Sequence, residues 1–146
     1  MSVGRRSPRL ERSPPAQALE SGEAPIGRDP IQRKRMAVTS AVKGRAAVSE
    51  YHTLERYKAH TLLEVHPITG RTHQIRLHLA FIGCPVAGDR IYGLRRATIE
   101  LNRHFLHAGR LTIQLPGEKK PRTFEAALPK ELEEVLVCLK EDRIAI

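Results

Sequence analysis

Between Gly70 and Gly83 the chain has room for one short helix, and its residues are spaced to make one. Ile75, Leu79 and Ile82 recur at i, i+4 and i+7, with Leu77, Ala80 and Phe81 widening the apolar side. That period lays one face of a helix on a core. Thr72 is placed to cap the start, where a hydroxyl can accept a hydrogen bond from an open backbone N–H. Gly83, with Pro85 just beyond, is placed to end it. We therefore expect a helix over 72–82. Its entry is chemically dense: Thr69-Gly70-Arg71-Thr72-His73-Gln74-Ile75-Arg76-Leu77-His78 carries two Arg, two His, two Thr and a Gln. A helix start leaves N–H groups open and bears partial positive charge, so with Arg71 and His73 beside it the segment suits an anion such as phosphate. On composition alone, a surface helix whose charges reach into water accounts for it slightly better.

The flanks read as strands and one more helix. Ala46–Leu54 and His60–His66 alternate as two strands joined by a turn at Lys58-Ala59. Phe105–Leu115 and Arg122–Ala127 read as a further pair. Pro129 opens a helix to about Lys140, with Leu132, Val135, Leu136 and Leu139 on one face. The expected architecture is α+β: a largely antiparallel sheet, a helix after the Thr-Gly-Arg-Thr-His-Gln-Ile-Arg turn and a C-terminal helix. Residues 25–45 read as a basic loop with a short apolar patch at Met36-Ala37-Val38. Residues 1–24 mix Pro, Ser, Arg and Gly with no apolar period and read as a disordered or divergent N-terminal segment. The domain is then residues 25–146.

Composition narrows the partners. Of 146 residues, 40% are hydrophobic and none is Trp, so the core must rest on Leu, Ile, Val and Ala. The formal charge is +9, concentrated in residues 1–45 with Arg28, Arg33, Lys34 and Arg35 at their centre, and a basic chain attracts polyanions, above all nucleic acid. Cys84 and Cys138 are far apart, which argues against a disulfide scaffold or a thiolate metal site and fits a reducing compartment. His104 and His107 are three apart, but the stretch from Phe105 reads as a strand, which points them to different faces, and no His-Glu-x-x-His pattern occurs, so no metal is expected. No apolar run has the length of a membrane span. The Arg- and Ser-rich start has the composition of a transit peptide, but Pro8, Pro14 and Pro15 interrupt any amphipathic helix there, so a cytoplasmic location is expected.

The run Thr-Gly-Arg-Thr-His-Gln-Ile-Arg-Leu-His-Leu-Ala, continued by Gly83-Cys84-Pro85-Val86-Ala87-Gly88-Asp89-Arg90-Ile91-Tyr92-Gly93, resembles the most characteristic stretch of the RluA-type RNA pseudouridine synthases. Pro25-Ile26-Gly27-Arg28-Asp29-Pro30 resembles that family's basic loop, Phe105-Leu106-His107-Ala108 its Leu-His-Ala strand, and residues 123–136 its closing strand and helix. Four blocks match in order. The resemblance implies isomerisation of uridine to pseudouridine in RNA, expected to be ribosomal RNA, without metal or organic cofactor. It implies that Arg76 forms an ion pair with the essential aspartate and that Leu106 packs near the base. Arg71, His73 and Gln74 would support the helix start and contact RNA, with Arg28, Arg33, Lys34 and Arg35 as further RNA contacts.

The family carries its aspartate in a His-Arg-Leu-Asp motif upstream of the basic loop, and these 146 residues contain no such motif. The tyrosine that packs on the base is missing from its expected place as well. Asp89 sits in a Gly-Asp turn, where a carboxylate ordinarily accepts from local backbone N–H groups. Three expectations follow. Arg76, lacking its acid, should be more exposed than in a complete enzyme. The sheet should have an open edge. The chain alone should be inactive, its alternatives being a non-catalytic RNA-binding remnant or one half of a split or truncated gene that needs a missing-half polypeptide.

Overall fold

The computed structural model describes residues 45–144 continuously, together with the strand segments 2–5, 20–23, 26–28 and 36–38. In chain order the elements are β1 (Ser2–Arg5), β2 (Glu20–Glu23), β3 (Ile26–Arg28), β4 (Met36–Val38), β5 (Val48–Arg56), β6 (His60–Pro67), α1 (Gln74–Phe81), β7 (Arg110–Ile113), β8 (Arg122–Glu125) and α2 (Lys130–Ile144). The fold is α+β and its strand pairs are antiparallel.

The centre is the β5–β6 hairpin. Tyr57 N–H donates to the His60 carbonyl at 2.8 Å across the expected Lys58-Ala59 turn. Tyr51 faces Val65 and Thr53 faces Leu63, and a bulge at Leu54 then shifts the register so that Glu55 faces Leu62. The extra residue increases the local twist. Two short segments of the N-terminal stretch extend this hairpin into a four-stranded sheet ordered β1-β6-β5-β2, with β1 and β2 as its edges. Both include a glycine, and their pairing uses backbone groups, which demand no apolar period.

The stretch expected to be a basic loop holds a second small ribbon. Ile26 pairs with Val38 and Arg28 with Met36, and Ile26 also exchanges two 3.0 Å backbone hydrogen bonds with Arg45. Three-residue strands are too short to display an alternating pattern, so the sequence gives no sign of them. Arg33, Lys34 and Arg35 lie outside the described residues, as does the side chain of Arg28.

The core gathers Tyr57, Leu62 and Leu63 from the hairpin, Leu79 from α1, Val86 and Ala87 from the following loop, Phe105, and Leu132, Val135 and Leu139 from α2. The apolar spacing expected of α2 is thus the one that packs. Each of the Leu, Val and Phe side chains contributes roughly 1.5–3 kcal/mol on full burial. Phe105 is wholly enclosed and its N–H donates to the Ala87 carbonyl at 2.8 Å, fastening the chain after residue 104 to the loop after α1. A smaller cluster of Ile26, Ala47 and Leu77, with Tyr92 against it, fills the other side of α1. The strand expected over 105–115 is shorter, Arg110–Ile113, because the chain from 105 to 109 follows the loop instead.

Candidate active site

The helix entry does not use the hydroxyl cap that Thr72 offers. His73 occupies the cap position in the left-handed conformation, φ 56° and ψ 19°, without a side-chain capping bond. That region is uncommon for a residue with a Cβ, and where it occurs the surroundings must fix it. Here Gln74 does much of the fixing. Its Oε1 accepts from the Thr69 hydroxyl at 2.6 Å and from the Arg71 N–H at 3.1 Å. Its Nε2 donates to the Val48 carbonyl at 2.8 Å and to Ser49 Oγ at 2.9 Å. One buried amide therefore ties the turn to β5. The Gln74 N–H in turn donates to the Arg71 carbonyl, so two amides that the sequence reading leaves open for an anion are used within the turn.

α1 buries polar side chains along with Leu77 and Leu79: Gln74, Arg76 and His78 are all enclosed, whereas Phe81, expected on the apolar face, is exposed. His78 Nδ1 lies 2.9 Å from Ser49 Oγ. The reason is position. This helix sits between the β5–β6 sheet and the Gly88–Gly93 loop and meets polar groups on both sides.

Arg76 is the centre of the second set, and here the expectation of an exposed, partnerless arginine is overturned. Arg76 is 9% exposed and grips Asp89 in a two-pronged pair, Nε to Oδ2 at 2.6 Å and Nη2 to Oδ1 at 2.8 Å. Oδ1 also accepts from the N–H groups of Ile91 and Tyr92 at 2.9 and 3.0 Å. The turn role expected of Asp89 is thus present, and the same carboxylate is the partner that the sequence reading did not find for Arg76. The Tyr92 ring lies over the guanidinium, 4.9 Å to its centroid, and the Tyr92 hydroxyl is 2.9 Å from His73 Nδ1. Guanidinium planes favour such stacking.

The electrostatics follow. Burial by itself would raise the Asp89 carboxyl, but the hydrogen bonds from Arg76 and from the Tyr92 and Ile91 N–H groups outweigh it and hold the pKa at about 2. The Asp89 hydrogen bond raises Arg76 above its ordinary value. His73 and His104 are both lowered, by burial first and then by the Arg76 charge. Arg76 Nη1 makes no hydrogen bond among the described residues and is not sealed from solvent.

Leu106 is half-buried one residue beyond Phe105, and its carbonyl accepts from Arg103 Nη2 at 2.9 Å. Arg71 is exposed and donates from Nε to the Ala46 carbonyl. Beyond Asp89 the loop walls an open cleft of about 1000 Å³, on which Arg90, Arg95 and Arg96 are exposed.

Residues 14–81 match the family model described as RNA pseudouridylate synthase. An RNA pseudouridine synthase of Chloroflexus aurantiacus is 46% identical over 119 residues, covering 82% of this chain and 37% of its own length. Ribosomal large subunit pseudouridine synthase D of Pseudomonas aeruginosa is 41% identical over 135 residues, covering 84% of this chain and 42% of its own.

The chain belongs to the RluA-type RNA pseudouridine synthase family. It spans less than half the length of these two relatives. The fold of human RNA pseudouridylate synthase domain containing 1 is shared with a TM-score of 0.70 at 21% identity, over 95% of this chain and 63% of the human one. Within this pseudouridine synthase fold, the residues that sequence reasoning missed are the Asp89 partner, the Tyr92 ring over Arg76 and the Gln74 hub. The signal for the first was present in Gly88 and Gly93, which bracket Asp89 and permit its sharp turn.

Proposed function

We propose that this chain provides the arginine-bearing portion of an RNA pseudouridine synthase that isomerises uridine to pseudouridine in ribosomal RNA, and that the reacting carboxylate comes from polypeptide outside these 146 residues. An exposed Arg76 can no longer stand as the sign of a missing acid. The reading rests instead on one observation: the Asp89 side chain is 0% exposed and both its oxygens are held. A carboxylate locked in this way cannot reach a ribose, for either attack or proton transfer. Its work is to fix the guanidinium. Arg76 Nη1, which has no hydrogen bond among the described residues, is left to bind a second carboxylate and hold it ionised.

The test is complementation. The chain is mixed with a polypeptide carrying the His-Arg-Leu-Asp segment, and pseudouridine in ribosomal RNA is read by mass spectrometry. Turnover is expected in the mixture. It should fall sharply with Arg76→Lys, which cannot serve both Asp89 and a second acid in the planar, forked geometry of a guanidinium. Equal turnover by the Arg76→Lys mixture would contradict the proposal.

The sealed state of Asp89 also favours a second reading, in which the chain binds RNA without reacting. The exposed Arg90, Arg95 and Arg96 then act as phosphate contacts, and affinity falls steeply with salt. Binding that holds constant between low and moderate salt would contradict this.

A further inference from the structure

On the side of the β5–β6 hairpin away from the Tyr51 and Val65 side chains, the register brings together three metal-binding side chains that sequence spacing keeps apart. His52 on β5 stands opposite Glu64 on β6, and His66 is two residues further along β6. Side chains two apart on a strand point to the same face, and directly paired residues share a face. The nearest nitrogen or oxygen donors of all three lie within 4.8 Å of one another. His66 Nε2 is 3.5 Å from Glu64 Oε2, and the two imidazoles meet edge to face with centroids 5.7 Å apart. Among the described residues the His52 side chain makes no hydrogen bond, and the side-chain contacts of Glu64 and His66 are confined to this cluster.

We propose that His52, Glu64 and His66 form a binding site for a divalent transition-metal ion of the zinc class. Two imidazoles and one carboxylate are the donor set such ions accept, and they are the wrong set for calcium or magnesium, which take oxygen ligands. The spacing suits the ion. Ligands on a tetrahedral metal with bonds of roughly 2.1 Å lie about 3.4 Å apart. The Glu64–His66 pair, at 3.5 Å, already has that separation, and with all three donors within 4.8 Å of one another small side-chain rotations bring the set onto an ion. Glu64 and His66 are half exposed, so their rotation is unhindered and the fourth position stays open to water or another ligand. The backbone is fixed by the ladder on both sides of the three residues, so binding requires no rearrangement of the fold. The site shares no residue with the Arg76 cluster and stands independently of the proposed RNA chemistry.

The experiment titrates the full chain with Zn2+ by calorimetry and with Co2+ by visible absorption, since a tetrahedral cobalt site absorbs strongly. The wild type is expected to bind one ion with affinity of micromolar order. His52→Ala and His66→Ala should each weaken binding at least about tenfold, because each removes one of three ligands. The double variant His52→Ala/His66→Ala should abolish the tetrahedral cobalt spectrum, while its circular dichroism stays that of the wild type. Because the three side chains lie outside the core, these changes should not unfold the domain. Absence of Zn2+ binding at about 1 mM, or binding that persists undiminished in the double variant, would overturn the proposal.

Discussion

Asp89 meets the Arg76 guanidinium through both carboxylate oxygens, at 2.6 and 2.8 Å, while Oδ1 also receives two backbone N–H groups from its own loop. One acid thus fastens α1 to the Gly88–Gly93 turn and fixes the cation of the candidate site. The pair should behave as a unit. Arg76→Ala leaves a buried, uncompensated carboxylate and is expected to cost about 3–5 kcal/mol in denaturant unfolding. Asp89→Ala should cost a similar amount. The double variant should cost clearly less than the two together, because neither charge is then stranded. Additive losses would mean that the pair is not coupled.

Acid should loosen the same link. The Asp89 carboxyl titrates at about 2 in the folded chain against 3.8 ordinarily, so the unfolded chain takes up the proton first as pH falls. The stabilisation is complete above about pH 4 and is lost as pH drops toward 2, amounting to about 2 kcal/mol. Unfolding measured against pH should show this component in the wild type, and Asp89→Asn should lack it.

His73 and His104 are both held below the ordinary histidine value by burial and by the Arg76 charge. Proton NMR should find both imidazoles neutral at pH 7, titrating only under more acid conditions. The unfolded chain binds these protons more readily, so this contribution to stability grows as pH rises toward 6.5 and disappears at lower pH. Arg76→Lys, which keeps the charge, should leave both titrations low. A midpoint at or above 6.5 for either residue in the wild type would contradict the geometry.

The Gln74 amide satisfies four polar groups around the turn into α1. Gln74→Leu removes all four bonds and leaves the buried Ser49 hydroxyl and the part-buried Val48 carbonyl without this partner, at an expected cost of about 2–4 kcal/mol. Gln74→Glu, nearly the same shape, should also destabilise, because a carboxylate cannot donate to the Val48 carbonyl.

Glycine substitutions separate backbone strain from collision. Gly88 has φ +74° and a side chain there would strike the Arg103 carbonyl oxygen, whereas Gly117, at φ +82°, has open space around it. Gly117→Ala should cost about 1 kcal/mol from conformation alone. Gly88→Ala should cost clearly more in thermal unfolding and should loosen the Asp89 turn. Gly93→Ala, directed at the Asp89 carbonyl oxygen, should act similarly.

Much of the fold was legible because its signals are periodic. The β5–β6 hairpin with its Lys58-Ala59 turn, α1 ended by Gly83, and α2 with Leu132, Val135 and Leu139 inward all follow from spacing. What was not legible depends on contacts between distant segments. The ribbon of Ile26–Arg28 with Met36–Val38 is too short to carry a pattern. The buried Gln74 and His78 go against the apolar reading of α1, because their partners, Val48 and Ser49, lie more than twenty residues away. The Arg76 partner is hidden for a related reason. The Gly88-Asp89 pattern signals a turn acid, and a turn acid with four acceptor positions can hold a guanidinium as well.

The most direct measurement is pseudouridine formation in ribosomal RNA by the 146-residue chain alone, compared with its Asp89→Asn variant. With Asp89 sealed and no other acid at Arg76 among the described residues, neither protein should form pseudouridine. Turnover by the chain that disappears in Asp89→Asn would make Asp89 the reacting carboxylate and would contradict the account.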